Sequence, residues 1–167
     1  MIRVVVDDIA FVQADAVVRP ATETLEPTSS ALRHLEQVAG AGLQERIRVQ
    51  QPLGVGAAVV TAAGDLPTEF VIHAVITGRR DPVSRQSVQR ALTSALQRAV
   101  DWELARLTVP PLGTGAGNLS VEDAAEVMCE VLTRHMATTS FPTDVQIVVE
   151  TEVEKLVFEG YLRRAEP

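Results

Sequence analysis

The chain is poor in cysteine, lysine, aromatic residues and long apolar runs. A single cysteine, Cys129, cannot close an internal disulfide, which excludes a disulfide-stapled scaffold of an oxidising compartment. Lys155 is the only lysine, and 15 basic residues against 22 acidic ones leave a formal net charge of −7. That balance argues against a generic DNA or RNA binder, which carries a basic patch to displace counterions. Arg79-Arg80 and Arg163-Arg164 are the only basic doublets and read as solvated surface. Apolar runs break well short of about 18 residues, so no membrane span is expected. Asp7 and Asp8 fall where a signal peptide needs its apolar core. The expectation is a soluble, cytoplasmic protein. What is present is 167 residues, 46% of them hydrophobic, enough for one domain over 1–167 with a buried core and no linker.

Strand-like and helix-like segments alternate. Ile2 to Val6, Ala16 to Val18, Gly56 to Ala63, Phe70 to Ile76, Leu107 to Val109 and Val145 to Val149 form six strand candidates. Four of them are nearly continuous in apolar character, as suits strands covered on both faces. Val88, Ala91, Leu92, Ala95, Leu96 and Ala99 repeat at helical spacing, as do Val121, Ala124, Ala125, Met128 and Leu132. Ser120 with Asp123 has the spacing of a capping box, and Thr151 with Glu154 starts a C-terminal helix. Leu32, Leu35 and Val38 mark a weaker helix ending at Gly40 and Gly42, with a short one around Leu43 and Ile47. Strand–helix alternation with buried strands predicts an α/β sandwich with helices on both sides.

The segment richest in chemistry is Val109-Pro110-Pro111-Leu112-Gly113-Thr114-Gly115-Ala116-Gly117-Asn118-Leu119-Ser120, which leads from a strand into a helix. Three glycines in five positions allow positive φ and inward-turned N–H groups. The following helix offers the positive end of its dipole. Such a loop cradles a phosphate without any Lys or Arg, or it is simply a tight turn. It lacks the Lys-Ser/Thr ending of a P-loop and the glycine spacing of the dinucleotide fingerprint. His73, inside an apolar strand, reads as a satisfied core histidine. His34 and His135 lie on predicted helices with no metal-ligand spacing around them, and Cys129 reads as packing. No metal or other cofactor is expected.

Five segments occur in the order found in macro domains: Asp8-Ile9, Ala14 to Val18, Gly56 to Pro67, Val71 to Val75, and Pro111 to Gly117. The chain resembles that family from about residue 2 to 150. The resemblance implies a three-layer α/β/α sandwich on a six-stranded mixed sheet, and a site for ADP-ribose or a related nucleotide. It matches Asp8, with Ile9 beside it, to the aspartate that accepts a hydrogen bond from the adenine amine. It matches Gly113, Thr114, Gly115, Ala116 and Gly117 to the loop around the diphosphate and distal ribose.

The first ligand loop departs from the family's pattern, approximately Val-Asn-Pro-Ala-Asn followed by a glycine cluster. Arg19 and Thr22 stand at the two asparagine positions, and Glu26-Pro27-Thr28-Ser29 at the glycines. Proline has no N–H to donate, and side chains with a Cβ block close backbone approach. Losing two charge-assisted hydrogen bonds of about 1.5–3 kcal/mol each weakens phosphate binding by roughly two to four decades. Arg19 is expected to pair with Glu23 or Glu26 and fill the distal half of the cleft; the alternatives are that it awaits an anionic ligand group that ADP-ribose lacks at that point, or that a bulge turns it to solvent. No independent catalytic set is visible, so no catalytic residue is assigned. The expected function is a nucleotide-binding module with a remodelled, weakened site. The alternatives are a non-binding scaffold that acts through self-association or a protein partner, and a hydrolase with altered residues. The oligomeric state is not legible.

Overall fold

The computed structural model describes residues 1–50, 52–115 and 119–167. Six strands, β1 (Ile2–Val6), β2 (Ala16–Thr22), β3 (Ala58–Ala62), β4 (Phe70–Thr77), β5 (Arg106–Val109) and β6 (Asp144–Val149), form one sheet in the order β1-β6-β5-β2-β4-β3. All neighbours are parallel except β3 with β4, so the sheet is mixed. Five helices accompany it: α1 (Ser30–Ala39), α2 (Ala41–Arg48), α3 (Arg85–Asp101), α4 (Val121–Thr138) and α5 (Glu152–Ala165). Among the described residues no helix is long and apolar enough to cross a membrane.

Side-chain alternation along the strands builds two cores. Ala16 and Val18 of β2, Ile72 of β4 and Ile147 of β6 face α3, α4 and α5, where Leu92, Leu96, Met128, Leu132 and Phe158 are buried. Val17, Val71 and Val148, one residue out of phase, face Leu35 and Ala39 of α1 and Leu43 of α2. The result is the expected three-layer sandwich. Helix starts follow the sequence signals in part. Thr151 and Glu154 make a full capping box, whereas Ser120 Oγ accepts from Asp123 N without the reciprocal bond. Asp15 Oδ2 accepts from Ala105 N and Arg106 N, at 2.9 and 2.8 Å, and so ties β2 to the start of β5.

Two boundaries differ from the sequence reading by more than one residue. β2 runs four residues beyond Val18, through Arg19 and Pro20 to Thr22. Its pairing with β5 stops at Val17, so on that side no ladder remains for Pro20 to interrupt. β3 is shorter than the apolar run Gly56 to Ala63, because Gly56 turns with φ +96 before the strand begins.

Candidate functional site

Beyond Val17, β2 and β5 have no further paired residues, and their continuations leave on opposite faces: β2 toward α1, β5 toward α4. In an open α/β sheet the crevice at such a switch point, outside the carboxyl ends of the strands, is where ligands bind. A cleft of about 530 Å³ lies there, within the usual size range for small-molecule sites. One end is made by Asp7, Asp8 and Ile9 after β1. Pro110, Pro111, Gly113, Thr114 and Gly115 after β5 form another wall, Thr28 to Leu32 and His34 a third, and Val148, Glu150 and Glu154 contribute from β6 and α5.

Asp8 caps the short 3₁₀ turn at Ile9–Phe11, its Oδ1 accepting from Ala10 N at 3.0 Å. Its Oδ2 accepts from Nε2 of His34 at 2.9 Å, and Phe11 meets the same imidazole edge-on with ring centroids 6.0 Å apart. His34, read from sequence as a helix residue without a ligand role, is therefore part of this end of the cleft. At the other wall, Gly113 has φ +89, and a Cβ there would stand 2.8 Å from Val83. A Cβ on Gly115 would overlap Ser29 Cβ and stand 3.0 Å from Thr28 O, so the two loops touch. Both positions therefore require glycine. Of the predicted loop residues, Ala116 and Gly117 lie outside the described residues.

Two expected site residues are placed elsewhere. Thr22 is not among the cleft-lining residues. Its hydroxyl accepts from Glu26 N at 3.1 Å and meets Thr24 Oγ1 at 3.2 Å, and its carbonyl accepts from Leu25 N. The segment folds back on itself, with Leu25 held at φ +62. Arg19 is fully buried beneath α1, on the Val17 face of β2, and neither fills the cleft nor reaches solvent. It pairs with Glu36 of α1, not with Glu23 or Glu26, and donates to Leu25 O at 2.7 Å and to His73 Nδ1 at 3.2 Å. Alternation explains the error: Arg19 follows the face of Val17, and α1 brings Glu36 over it, whereas Glu23 turns away to accept from Arg79 N at 2.8 Å. No local sequence signal links Arg19 to Glu36, 17 residues on.

Burial lowers the Arg19 guanidinium from its ordinary value, and Glu36 partly restores it. His73 is a core histidine, pushed down to about 3 by burial and, secondly, by the Arg19 charge. Arginine can only donate, so Nδ1 of the neutral ring accepts and its proton sits on Nε2, which donates to Thr61 Oγ1 at 2.8 Å. Burial also pushes the Cys129 thiol up to about 12, which keeps it an inert packing residue.

The helix start that lines the cleft is that of α1, not that of α4 as the glycine loop suggested. Ser29 Oγ accepts from Leu32 N, and Ser30 and Ala31 line the cleft. The first turn of α4 carries Glu122 and Asp123 instead. Arg85 bridges Asp123 and Glu126 there, and the hydrogen bond to Glu126 is the main cause that raises its already high pKa. Among the described residues no group of three or more His, Cys, Asp or Glu is placed to hold a metal ion.

Comparison with known proteins bears on this geometry. The family model described as Macro domain matches residues 18–128. An uncharacterized protein of Mycobacterium tuberculosis is 30% identical over 128 residues, covering 77% of this chain and 36% of that protein. The chain thus spans about a third of the length of that curated relative. An Oceanobacillus iheyensis macrodomain solved with ADP superposes with a TM-score of 0.87 at 18% identity, covering 96% of this chain and 89% of the other. A Trypanosoma brucei macrodomain in complex with ADP-ribose gives 0.86 at 18% identity, covering 95% and 68%.

Proposed function

Since the chain belongs to the macro domain family, we propose that its cleft binds ADP-ribose or a related nucleotide, more weakly than an unaltered site, and does not hydrolyse it. The observation that carries this reading is the cleft itself, which brings Asp8 and Ile9 together with Gly113, Thr114 and Gly115 at the switch point. Asp8 is the acceptor for an amino-bearing base. Gly113 to Gly115 and the first turn of α1 serve phosphate through backbone donors.

Weakness follows from the first loop. Thr22 spends its hydroxyl within its own turn, Arg19 spends its guanidinium on Glu36, Leu25 and His73, and Ser29 sets its side chain, with Thr28 its carbonyl, against Gly115. Binding without turnover is favoured because Thr22 does not line the cleft and has no amide with which to hold a water there. Thermal-shift titration with adenine nucleotides, ADP-ribose among them, tests the reading. A ligand that binds only the folded state raises Tm, and Asp8→Ala should abolish the rise. No shift with any adenine nucleotide, or turnover of an ADP-ribosylated protein, overturns it. The second reading, a scaffold for a protein partner, draws support from Val153 and Leu156, both exposed on α5. It predicts partner binding that Leu156→Asp abolishes and Asp8→Ala leaves intact.

A further inference from the structure

We propose that two copies of this chain associate through the outer face of α5, with the two helices antiparallel about a two-fold axis level with Phe158, whatever the cleft binds. Two observations carry it: an exposed apolar stripe, and a glycine that nothing within the chain requires.

α5 turns Phe158 and Leu162 into the larger core. Its opposite face, followed at helical spacing, carries Val153, Leu156, Gly160 and Arg163. Val153 is 72% exposed and Leu156 67%. A lone exposed apolar residue is ordinary, but these two are neighbours on one face and lead directly to the glycine.

Gly160 stands in the helix interior, where glycine is less stable than alanine. A Cβ there would have no atom within 4 Å, and its φ is outside the left-handed region. By contrast, a Cβ on Gly64, Gly113 or Gly115 would meet a neighbouring atom at 2.4, 2.8 or 2.4 Å. Inside the chain, then, neither close approach nor backbone conformation accounts for Gly160. What it supplies is a gap on the outside, into which another helix can come close. Leu156, one turn earlier, supplies the side chain to fill such a gap.

The two cannot meet within one helix. Against a second α5 laid antiparallel, Leu156 of each copy falls opposite Gly160 of the other, so the surface complements itself and closes as a two-fold pair. The same register brings Glu152 beside Arg163 of the second copy. Among the described residues neither of these has an ion-pair partner within the chain. A parallel arrangement would set like charges together. Acidic residues at the start of α5 and basic ones at its end also suit the helix's own dipole. The charges therefore fix the direction of the second helix, while Leu156 and Gly160 make the contact. At 14 residues α5 is roughly 20 Å long, and one helix face of that length makes a small interface with Kd about 10–100 µM.

Sedimentation equilibrium on the full chain between about 5 and 500 µM should show reversible dimerisation in that range. Gly160→Gln fills the gap with a better helix former, so Tm of the dilute chain should hold or rise while dimerisation weakens about tenfold or more. Leu156→Asp should weaken it as much. Glu152→Arg and Arg163→Glu should each weaken self-association about threefold or more, and an equimolar mixture of the two should associate more tightly than either alone. Only the mixed pair restores both opposite-charge contacts. A chain that stays monomeric to about 500 µM overturns the proposal. So does a dimer that Gly160→Gln leaves intact, or a mixture no tighter than its components. None of the substituted residues lines the cleft, so nucleotide binding should be unchanged in all four variants, and this proposal and the nucleotide assignment fail separately.

Discussion

The two faces of the sheet solve burial in different ways. Under α3, α4 and α5 one continuous apolar cluster runs from Val4 through Leu92 and Leu132 to Phe158. Under α1 and α2 the apolar residues form two smaller clusters, one around Leu35 and Leu43, the other around Ala21, Leu25 and Val75. Between Val17 and Ala21 on that strand face sits Arg19, with Glu36, His73 and Thr61 joined to it by hydrogen bonds. The first face is held by packing, which tolerates small rearrangements. The second is held by a polar network whose members depend on one another, and it carries the helix whose first turn lines the cleft.

Breaking one member of the network should have the largest effect. Glu36→Ala leaves a buried guanidinium without its counter-charge, and chemical denaturation should show a loss of about 3–5 kcal/mol. Replacing both partners, Arg19→Met with Glu36→Leu, should recover part of it, because an apolar pair of similar volume needs no desolvation while Leu25 O and His73 Nδ1 lose their donor. A loss in the double variant as large as in the single one would show that the pair is not the unit. On the apolar face, Leu92→Ala should cost about 3 kcal/mol from lost burial and the cavity left behind. No double-variant rescue is expected there.

His73 sharpens the contrast through pH. The folded ring stays neutral down to about 3. The unfolded ring protonates near 6.5, so between those values the unfolded state binds the extra proton. Stability is then fully present above about pH 6.5 and falls by about 1.4 kcal/mol per unit as the pH drops toward 3. His73→Gln should remove that contribution, visible as a difference in slope between parent and variant in denaturation at pH 6.5, 5.5 and 4.5. Parallel slopes would show that His73 does not titrate in this way. The smallest effect concerns helix starts. Ser29→Ala and Thr151→Ala should each cost about 1 kcal/mol, and Ser29→Ala should also lower nucleotide affinity, since Ser29 caps the α1 start that lines the cleft.

Much of the architecture was legible because strand and helix periods are local. Phe70 to Ile76 and the Val88 to Ala99 stripe fall within a few residues of β4 and α3. The error at β2 had a physical source, since Arg and Pro both argue against an interior strand and only the tertiary setting admits them there. The candidate site was legible where a residue's role depends on its own segment, as with Gly113 adopting positive φ. It was not legible where partners come from afar. Arg19 finds Glu36 only once α1 is laid across β2, and His34 reaches Asp8, 26 residues away, for the same reason. The glycine loop pointed to the helix that follows it in sequence. The cleft takes its helix start from the other side of the switch point.

The pairing of β1 with β6 has a consequence for the order of assembly. Ile2 stands in register with Val145, and Arg3 Nη2 donates to Asp144 Oδ2 at 3.0 Å across 141 residues of chain. Closing so long a loop is entropically expensive, and contacts of this separation form late in folding. β1 is synthesised early yet has no sheet to join until β6 has emerged and docked on β5. The Asp7–Ile9 end of the cleft rides on β1, whereas the Gly113 wall hangs on β5. The Asp7–Ile9 end of the cleft is thus expected to be completed late in folding, and a chain arrested before residue 144 would carry a helix start and a glycine turn with nothing opposite them.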